Sequence, residues 1–283
     1  MDDPQLLVTT DWLEKHLDAP DVRIIDASLV LPGDPRDVKA EYEACHIPGA
    51  RYFDIDDIAD SRSDLPHMVP PVEKFISKIR AMGIGDGHRV VVYDTNDALF
   101  SAARAWWMFK LFGKNDVAIL DGGLPKWLKE GRPTEDMPPM MRDRHFTARR
   151  NAALIRDVTQ VASAYKLGDA QIIDARSPAR FAGATDEPRE GVRRGRIPGS
   201  FNIYYKDLTG PHGTLLPLDD LREIFDDEDI DLTKPIILTC GSGVTACSLA
   251  LVLEMLGHHQ WSVYDGSWSE WGAYDELAIE DGW

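Results

Sequence analysis

The segment Pro235-Ile-Ile-Leu-Thr-Cys240-Gly-Ser-Gly-Val-Thr245-Ala-Cys-Ser-Leu-Ala-Leu concentrates residues that could do chemistry. Its apolar, partly β-branched start reads as a buried strand ending at Cys240. A loop of small residues follows, and an apolar helix is expected from about Thr245 to Gly257. Gly241 and Gly243 open backbone angles closed to other residues, so successive N–H groups can turn inward toward one point. The helix N-terminus adds its partial positive charge from the same side. Such a cradle would hold a thiolate, a persulfide anion or a bound oxyanion, which makes Cys240 the candidate nucleophile. The loop by itself also fits a buried strand-end thiol whose glycines merely make a tight turn.

The elements that must position this loop are written twice in the chain. Ile24-Ile25-Asp26-Ala27 recurs as Ile172-Ile173-Asp174-Ala175, an offset of 148. His46-Ile47-Pro48-Gly49 recurs as Arg196-Ile197-Pro198-Gly199, an offset of 150. Val90 to Asp94 answers Ile236 to Cys240 at an offset of 146, with Asp94 opposite Cys240. Asp121-Gly122-Gly123 with Trp127 answers Asp265-Gly266-Ser267 with Trp271 at 144. Markers in one order at nearly constant offsets mean two copies of one fold. The expected domains are residues 1–135 and 151–283, joined by a polar linker, 136–150, that Pro138 and Pro139 interrupt.

Within each half, short apolar runs alternate with helical patterns. Arg23 to Ala27, Val90 to Tyr93 and Val117 to Leu120 read as buried strands, with helices over Pro71 to Met82 and Ser101 to Phe112. Gln171 to Asp174, Pro235 to Thr239 and Trp261 to Tyr264 repeat the strands. This predicts an α/β fold in which each half has a mainly parallel sheet covered on both faces.

Composition bounds the partners. The chain is 43% hydrophobic and 28% charged, with a net charge of −17 from 31 basic and 48 acidic residues. That surface repels nucleic acid and anionic membranes, and an anionic small substrate needs a local cluster of arginine. No apolar run is long enough to span a bilayer. Met1 to Thr10 shows no basic region followed by an apolar one, so the expected location is the cytoplasm. Cys45, Cys240 and Cys247 form neither a disulfide framework nor a zinc-ligand spacing. Cys45 and Cys247 read as buried thiols, and Trp106, Trp107, Trp268 and Trp271 as packing residues.

Cys240-Gly-Ser-Gly-Val-Thr245-Ala resembles the active-site loop of the 3-mercaptopyruvate sulfurtransferases of the rhodanese superfamily. Tyr42-x3-His46-Ile-Pro-Gly-Ala50 and Tyr264-Asp-Gly-Ser-Trp268-Ser-Glu-Trp271 are similar to that family's first and last signatures. The resemblance runs from about Val8 to Trp271. It implies two tandem rhodanese-like domains with the active site between them and a first copy that has lost its nucleophile, as Asp94 suggests.

The resemblance also implies a chemistry. Cys240 takes sulfur from 3-mercaptopyruvate as a persulfide, releases pyruvate, and passes the sulfur to thioredoxin, a small thiol or cyanide. Arg180 and Arg189 match the family's substrate-binding arginines, and bidentate guanidinium geometry suits a planar α-keto acid. Gly241, Gly243, Val244 and Thr245 complete the substrate-binding loop. Ser242 is paired by the resemblance with His67, in Leu65-Pro-His67-Met, and Asp56, in Phe53-Asp-Ile-Asp56, as a proton relay. Arg193, Arg194 and Arg196 have no such match and read as surface or structural residues. No metal or organic cofactor is implied.

Two related chemistries fit less well. A thiosulfate enzyme of the superfamily places basic residues after its cysteine, where Gly241 and Ser242 stand. A cell-cycle-type tyrosine phosphatase closes its loop on an arginine at the position of Ala246, and without it the phosphoryl oxygens lose their clamp. A catalytically silent rhodanese module that docks a protein is the reading from another class, and the intact Cys240 loop argues against it.

Overall fold

A computed structural model describes residues 6–282 of the chain. The first five residues of the leader reading lie outside the described residues. The chain divides into two compact units. The first comprises residues up to Ser61, Val69–Asn151 and Thr209–Leu215, and the second Arg62–Met68, Ala152–Leu208 and residues from Leu216 onward.

In the first unit the strands are β1 (Leu7–Val8), β2 (Val22–Asp26), β3 (Arg51–Tyr52), β4 (Arg89–Tyr93) and β5 (Val117–Leu120). Its helices are α1 (Thr10–Lys15), α2 (Val38–Ala44), α3 (Ile55–Ile58), α4 (Val72–Ala81), α5 (Phe100–Leu111) and α6 (Gly123–Lys129). The strands pair in parallel in the order β1-β5-β4-β2-β3. Alternate residues serve opposite faces, as the period-2 strand geometry requires. Ile24, Val91, Tyr93, Ala118 and Leu120 join one apolar core with Leu13 and Trp127. A second cluster stacks Phe75 on Phe112 at 4.2 Å, with Phe53 and Phe146 in ring contact with Phe109. Eleven of the twelve residues of α5 are buried, so this helix lies inside its unit.

The second unit repeats the plan. Its strands are β6 (Ile155–Arg156), β7 (Gln171–Asp174), β8 (Phe201–Asn202), β9 (Ile236–Thr239) and β10 (Trp261–Tyr264), all parallel in the order β6-β10-β9-β7-β8. Its helices are α7 (Val158–Leu167), α8 (Pro178–Phe181), α9 (Leu218–Asp227), α10 (Ala246–Met255) and α11 (Ser267–Trp271). A capping box between Asp157 and Gln160 starts α7, and Gly168, at φ 65°, ends it. Trp268 and Trp271, both fully buried, pack with Val161, Ile172, Ile237 and Tyr264.

The strands of four or five residues and the helices α4, α5 and α10 fall where the residue pattern places them, while α7 and α9 were not expected. The two-residue strands β1, β3, β6 and β8 do not show in the sequence, because two residues carry no periodicity. Residues 136–150 have neither helix nor strand. They belong to the first unit, where the carbonyl of His145 accepts from the N–H of Asp86 at 3.1 Å and Phe146 is buried. Cys45 departs from expectation: it is half-exposed, because it caps the C-terminus of α2 in extended backbone. Cys247 is buried in α10 as expected, and Trp106 and Trp107 are fully buried. Among the described residues no helix is long and apolar enough to cross a membrane.

Candidate active site

Ligands of open parallel sheets bind beyond the carboxyl ends of the strands. β9 runs between β10 and β7, and Cys240 is the residue after its last. The Cys240 backbone is held from both sides by the first two residues of α11. Its N–H donates to Ser267 Oγ at 3.2 Å, and its carbonyl accepts from the N–H of Trp268 at 2.9 Å. The Gly241 carbonyl accepts from the Ser269 N–H at 2.9 Å and from the Ser269 hydroxyl at 2.5 Å. Ser267 sits at φ 50° and donates its hydroxyl to the Tyr264 carbonyl at 2.7 Å.

Gly243, at φ 73°, turns the loop in the left-handed region that suits glycine. Among the described residues, the N–H groups of Gly241, Ser242, Val244 and Thr245 donate to no protein acceptor. They precede the N-terminus of α10, whose cap Thr245 makes no side-chain hydrogen bond. Cys240 itself is 1% exposed, with Val244 and Thr245 also buried. The loop is therefore a set of unspent donors around a shielded sulfur, suited to a persulfide or a substrate anion.

Arg180 lies over the loop. Its Nη2 and Nη1 stand 3.0 and 3.7 Å from where a Cβ on Gly241 would be, so any larger residue there would crowd the guanidinium. Glu187 holds Arg180 through Nε at 3.1 Å and through Nη2. The same carboxylate accepts from Arg176 Nη1 at 2.8 Å, and Arg176 is bound bidentately by Asp174 at 2.7–3.2 Å. Arg176 is buried, with its guanidinium 4.3 Å from the Trp268 ring centre. Burial works against its charge, but Asp174 and Glu187 outweigh that and hold its pKa above the ordinary arginine value. Arg189 Nη1 donates to Ser269 Oγ at 3.4 Å, and that hydroxyl donates on to the Gly241 carbonyl. Both expected substrate arginines thus reach the Cys240 loop, one over it and one through Ser269. Arg193 bonds the carbonyls of Gly272, Tyr274 and Leu277, and Arg196 pairs with Glu280 at 2.9 Å, which makes both structural.

His67 Nδ1 lies 3.0 Å from Ser242 Oγ. His67 has φ 60°, in the left-handed region that costs most non-glycine residues energy. The expectation that His67 comes from the first domain needs correction: residues 62–68 group with the second unit, as Ser242 does. Asp56 stands in the first turn of α3, in the first unit, with its side chain exposed.

Several site residues carried no role in the sequence reading. Ser267 and Ser269 lay inside the last signature, and Glu187 inside the segment that marked Arg189. Arg176 and Tyr205 gave no signal. Burial, then Tyr204, then the charge of Cys240 push the Tyr205 phenol well above its ordinary pKa, while Arg180 pulls it down.

The rhodanese-like domain model matches residues 9–130 and 157–274. The 3-mercaptopyruvate sulfurtransferase of Escherichia coli is 43% identical over 274 residues, spanning 96% of this chain and 97% of that one. Thiosulfate/3-mercaptopyruvate sulfurtransferase 1 of Arabidopsis thaliana is 41% identical, spanning 97% of this chain and 78% of that protein. The crystal structure of SseA from Escherichia coli, described with the rhodanese fold of 3-mercaptopyruvate sulfotransferases, has a TM-score of 0.86. It is 41% identical and covers 93% of this chain and 99% of its own. With one matched domain in each half and relatives of this closeness along nearly its whole length, this chain belongs to the rhodanese family, in its tandem two-domain form.

Proposed function

We propose that this protein is an enzyme that transfers sulfur from 3-mercaptopyruvate through a persulfide on Cys240. The observation that carries the reading is the meeting of Arg180 with Gly241, which sets a planar cation beside an uncharged, donor-rich cysteine loop. The Cys240 thiolate attacks the substrate sulfur. The Sγ–S bond forms as the C–S bond breaks, and the electron pair passes to carbon as the enolate of pyruvate. Arg180 and Arg189 bind the carboxylate and ketone, which keeps the leaving carbon in place. Ser242 and His67 deliver the proton that turns the enolate into pyruvate. A thiol, on thioredoxin or a small molecule, or cyanide then removes the outer sulfur and regenerates the thiolate. The cytoplasm is the location we assign to this activity.

Thiosulfate is the second donor to consider, because the Arabidopsis relative carries both substrates in its name. The uncharged pair Gly241 and Ser242 favours mercaptopyruvate, since neither residue offers a partner to a second negative charge. Steady-state turnover with each donor, at one acceptor concentration, tests the assignment. We expect kcat/KM for mercaptopyruvate to exceed that for thiosulfate by at least about 100-fold, or roughly 2.7 kcal/mol. A ratio at or below one would replace mercaptopyruvate by thiosulfate as the donor.

A further inference from the structure

Arg176 and Arg180 face two carboxylates, Asp174 and Glu187, and Glu187 touches both arginines. Its side chain is 4% exposed, so its charge is spent inside the protein rather than in water. A guanidinium has two edges that can each hold a carboxylate bidentately, the Nε/Nη2 edge and the Nη1/Nη2 edge. Glu187 takes the first edge of Arg180. That leaves the Nη1/Nη2 edge, the one whose nitrogens approach Gly241, for an incoming anion.

We propose that Glu187 is the positioning residue that sets donor specificity: by holding one edge of Arg180 and balancing its charge, it fits the site to a single carboxylate rather than to a dianion. This rests on the mercaptopyruvate reading and deepens it. Glu187 acts in two ways. It fixes the plane of Arg180, whose long side chain otherwise loses rotamer freedom on binding. It also matches Arg176 and Arg180 to Asp174 and Glu187, so that this cluster presents no net positive charge to a second negative charge on the donor. Without Glu187 the local balance gains one positive charge, and a dianion such as thiosulfate or sulfate profits more than a keto acid.

The test uses the full chain and two readouts. The first is turnover of Glu187→Gln, which keeps shape and loses charge. We expect KM for mercaptopyruvate to rise about tenfold with kcat within about threefold, and the thiosulfate-to-mercaptopyruvate ratio of kcat/KM to rise at least about tenfold. The second readout needs no turnover: protection of Cys240 from alkylation by iodoacetamide, using pyruvate as the monoanion and sulfate as the dianion. Pyruvate protection should weaken about tenfold in Glu187→Gln while sulfate protection strengthens. In the Arg180→Ala background, Glu187→Gln should change the pyruvate constant by less than about twofold, since the residue works through Arg180. Glu187→Asp keeps the charge and should hold the donor ratio near wild type even where KM rises. It also serves as the test variant should Glu187→Gln not fold. A Glu187→Gln protein with both ratios within twofold of wild type overturns the proposal. So does a full effect that persists without Arg180, and so does a Glu187→Asp protein that selects thiosulfate. A wild type inert toward mercaptopyruvate would remove the substrate reading, and the protection constants would still decide the part played by Glu187.

Discussion

The loops after β4 and β9 are the same length and end in opposite chemistry. Asp94 stands six positions before the first residue of α5, and Cys240 six before the first of α10. In the first unit the carboxylate of Asp94 accepts from the N–H of Asn96 and Ser101 at 3.1 Å, from the Ser101 hydroxyl at 2.9 Å and from the N–H of Ala102 at 2.8 Å. The cradle built to hold an anion is filled by an anion of its own. In the second unit the strand ends in a thiol, and the N–H groups of Gly241, Ser242, Val244 and Thr245 remain for whatever the sulfur brings. One fold thus carries a plug at one strand end and a candidate site at the matching one. Above the loops the contrast continues. Ser28 stands at the position of Arg176 and offers its hydroxyl to the Thr95 N–H at 3.0 Å, while Asp26 has no arginine in place of the one that holds Asp174.

The largest expected effect tests whether the strand end alone decides. Cys240→Ser should lower sulfur transfer on the order of 10⁴-fold, and intact mass should place one added sulfur on Cys240 of substrate-treated wild type. Adding Asp94→Cys to that variant should not restore transfer or take up sulfur, because the arginine at the first loop, Arg36, is spent on Thr95 and Asn96 rather than set as Arg180 is over Gly241. Sulfur appearing at position 94 would break the comparison. Next in size, Ser242→Ala and His67→Ala should each lower kcat about 100-fold, the ordinary worth of a positioned proton donor. Alkylation of Cys240 by a neutral reagent should change by less than about threefold in both. A kcat within twofold of wild type would remove the relay and leave protonation to the solvent.

Arg180→Ala and Arg189→Ala should each cost about 1.5–3 kcal/mol, a loss of about 10- to 100-fold in kcat/KM for mercaptopyruvate. Arg189→Lys should recover only part, since the ammonium lacks the planar fork. Losses within twofold would make these surface arginines. The smallest effect on turnover, none, belongs to Asp26→Asn, which sharpens the contrast in stability instead. Burial raises the Asp26 pKa to about 6 from an ordinary 3.8, against the hydrogen bonds of Ser28 and with help from Asp94. The folded protein therefore binds this proton more tightly than the unfolded one, and its stabilising effect is lost as pH rises from about 4 to about 6. Relative to wild type, Asp26→Asn should gain up to about 3 kcal/mol between pH 4 and 7, read by denaturant unfolding at a series of pH values. A difference that stays flat over that range would show that Asp26 is charged at no cost.

Much of this was written in local sequence. The offsets between Ile24–Ala27 and Ile172–Ala175 and between Asp94 and Cys240 exposed the duplication and set Asp94 opposite Cys240. The Cys240 loop showed itself as a strand, a cysteine, glycines and a helix in order, and the family motifs decided between a reactive thiol and a tight turn. Arg180 and Arg189 came only with the family motifs, for an arginine in a loop looks like any other until something faces it. Glu187, Ser267 and Ser269 were invisible for a related reason. Their roles lie in buried partners, 27 positions away for Ser267 and Cys240 and 28 for Ser269 and Gly241, and such pairings leave no period in the chain. The grouping of residues 62–68 with the second unit likewise rests on contacts that no local pattern encodes.

The hold of α11 on the Cys240 peptide has a consequence in time. A nascent chain that has reached the end of α10 possesses its nucleophile, its glycines and its helix N-terminus. It still lacks Ser267, Trp268 and Ser269, the partners of the Cys240 N–H and carbonyl and of the Gly241 carbonyl. The reactive cysteine is therefore made early and aligned late, only after the ribosome has delivered the turn that follows β10. A half-made chain carries a thiol with no ordered cradle around it, so persulfide chemistry begins only once the fold of the second unit has closed on itself.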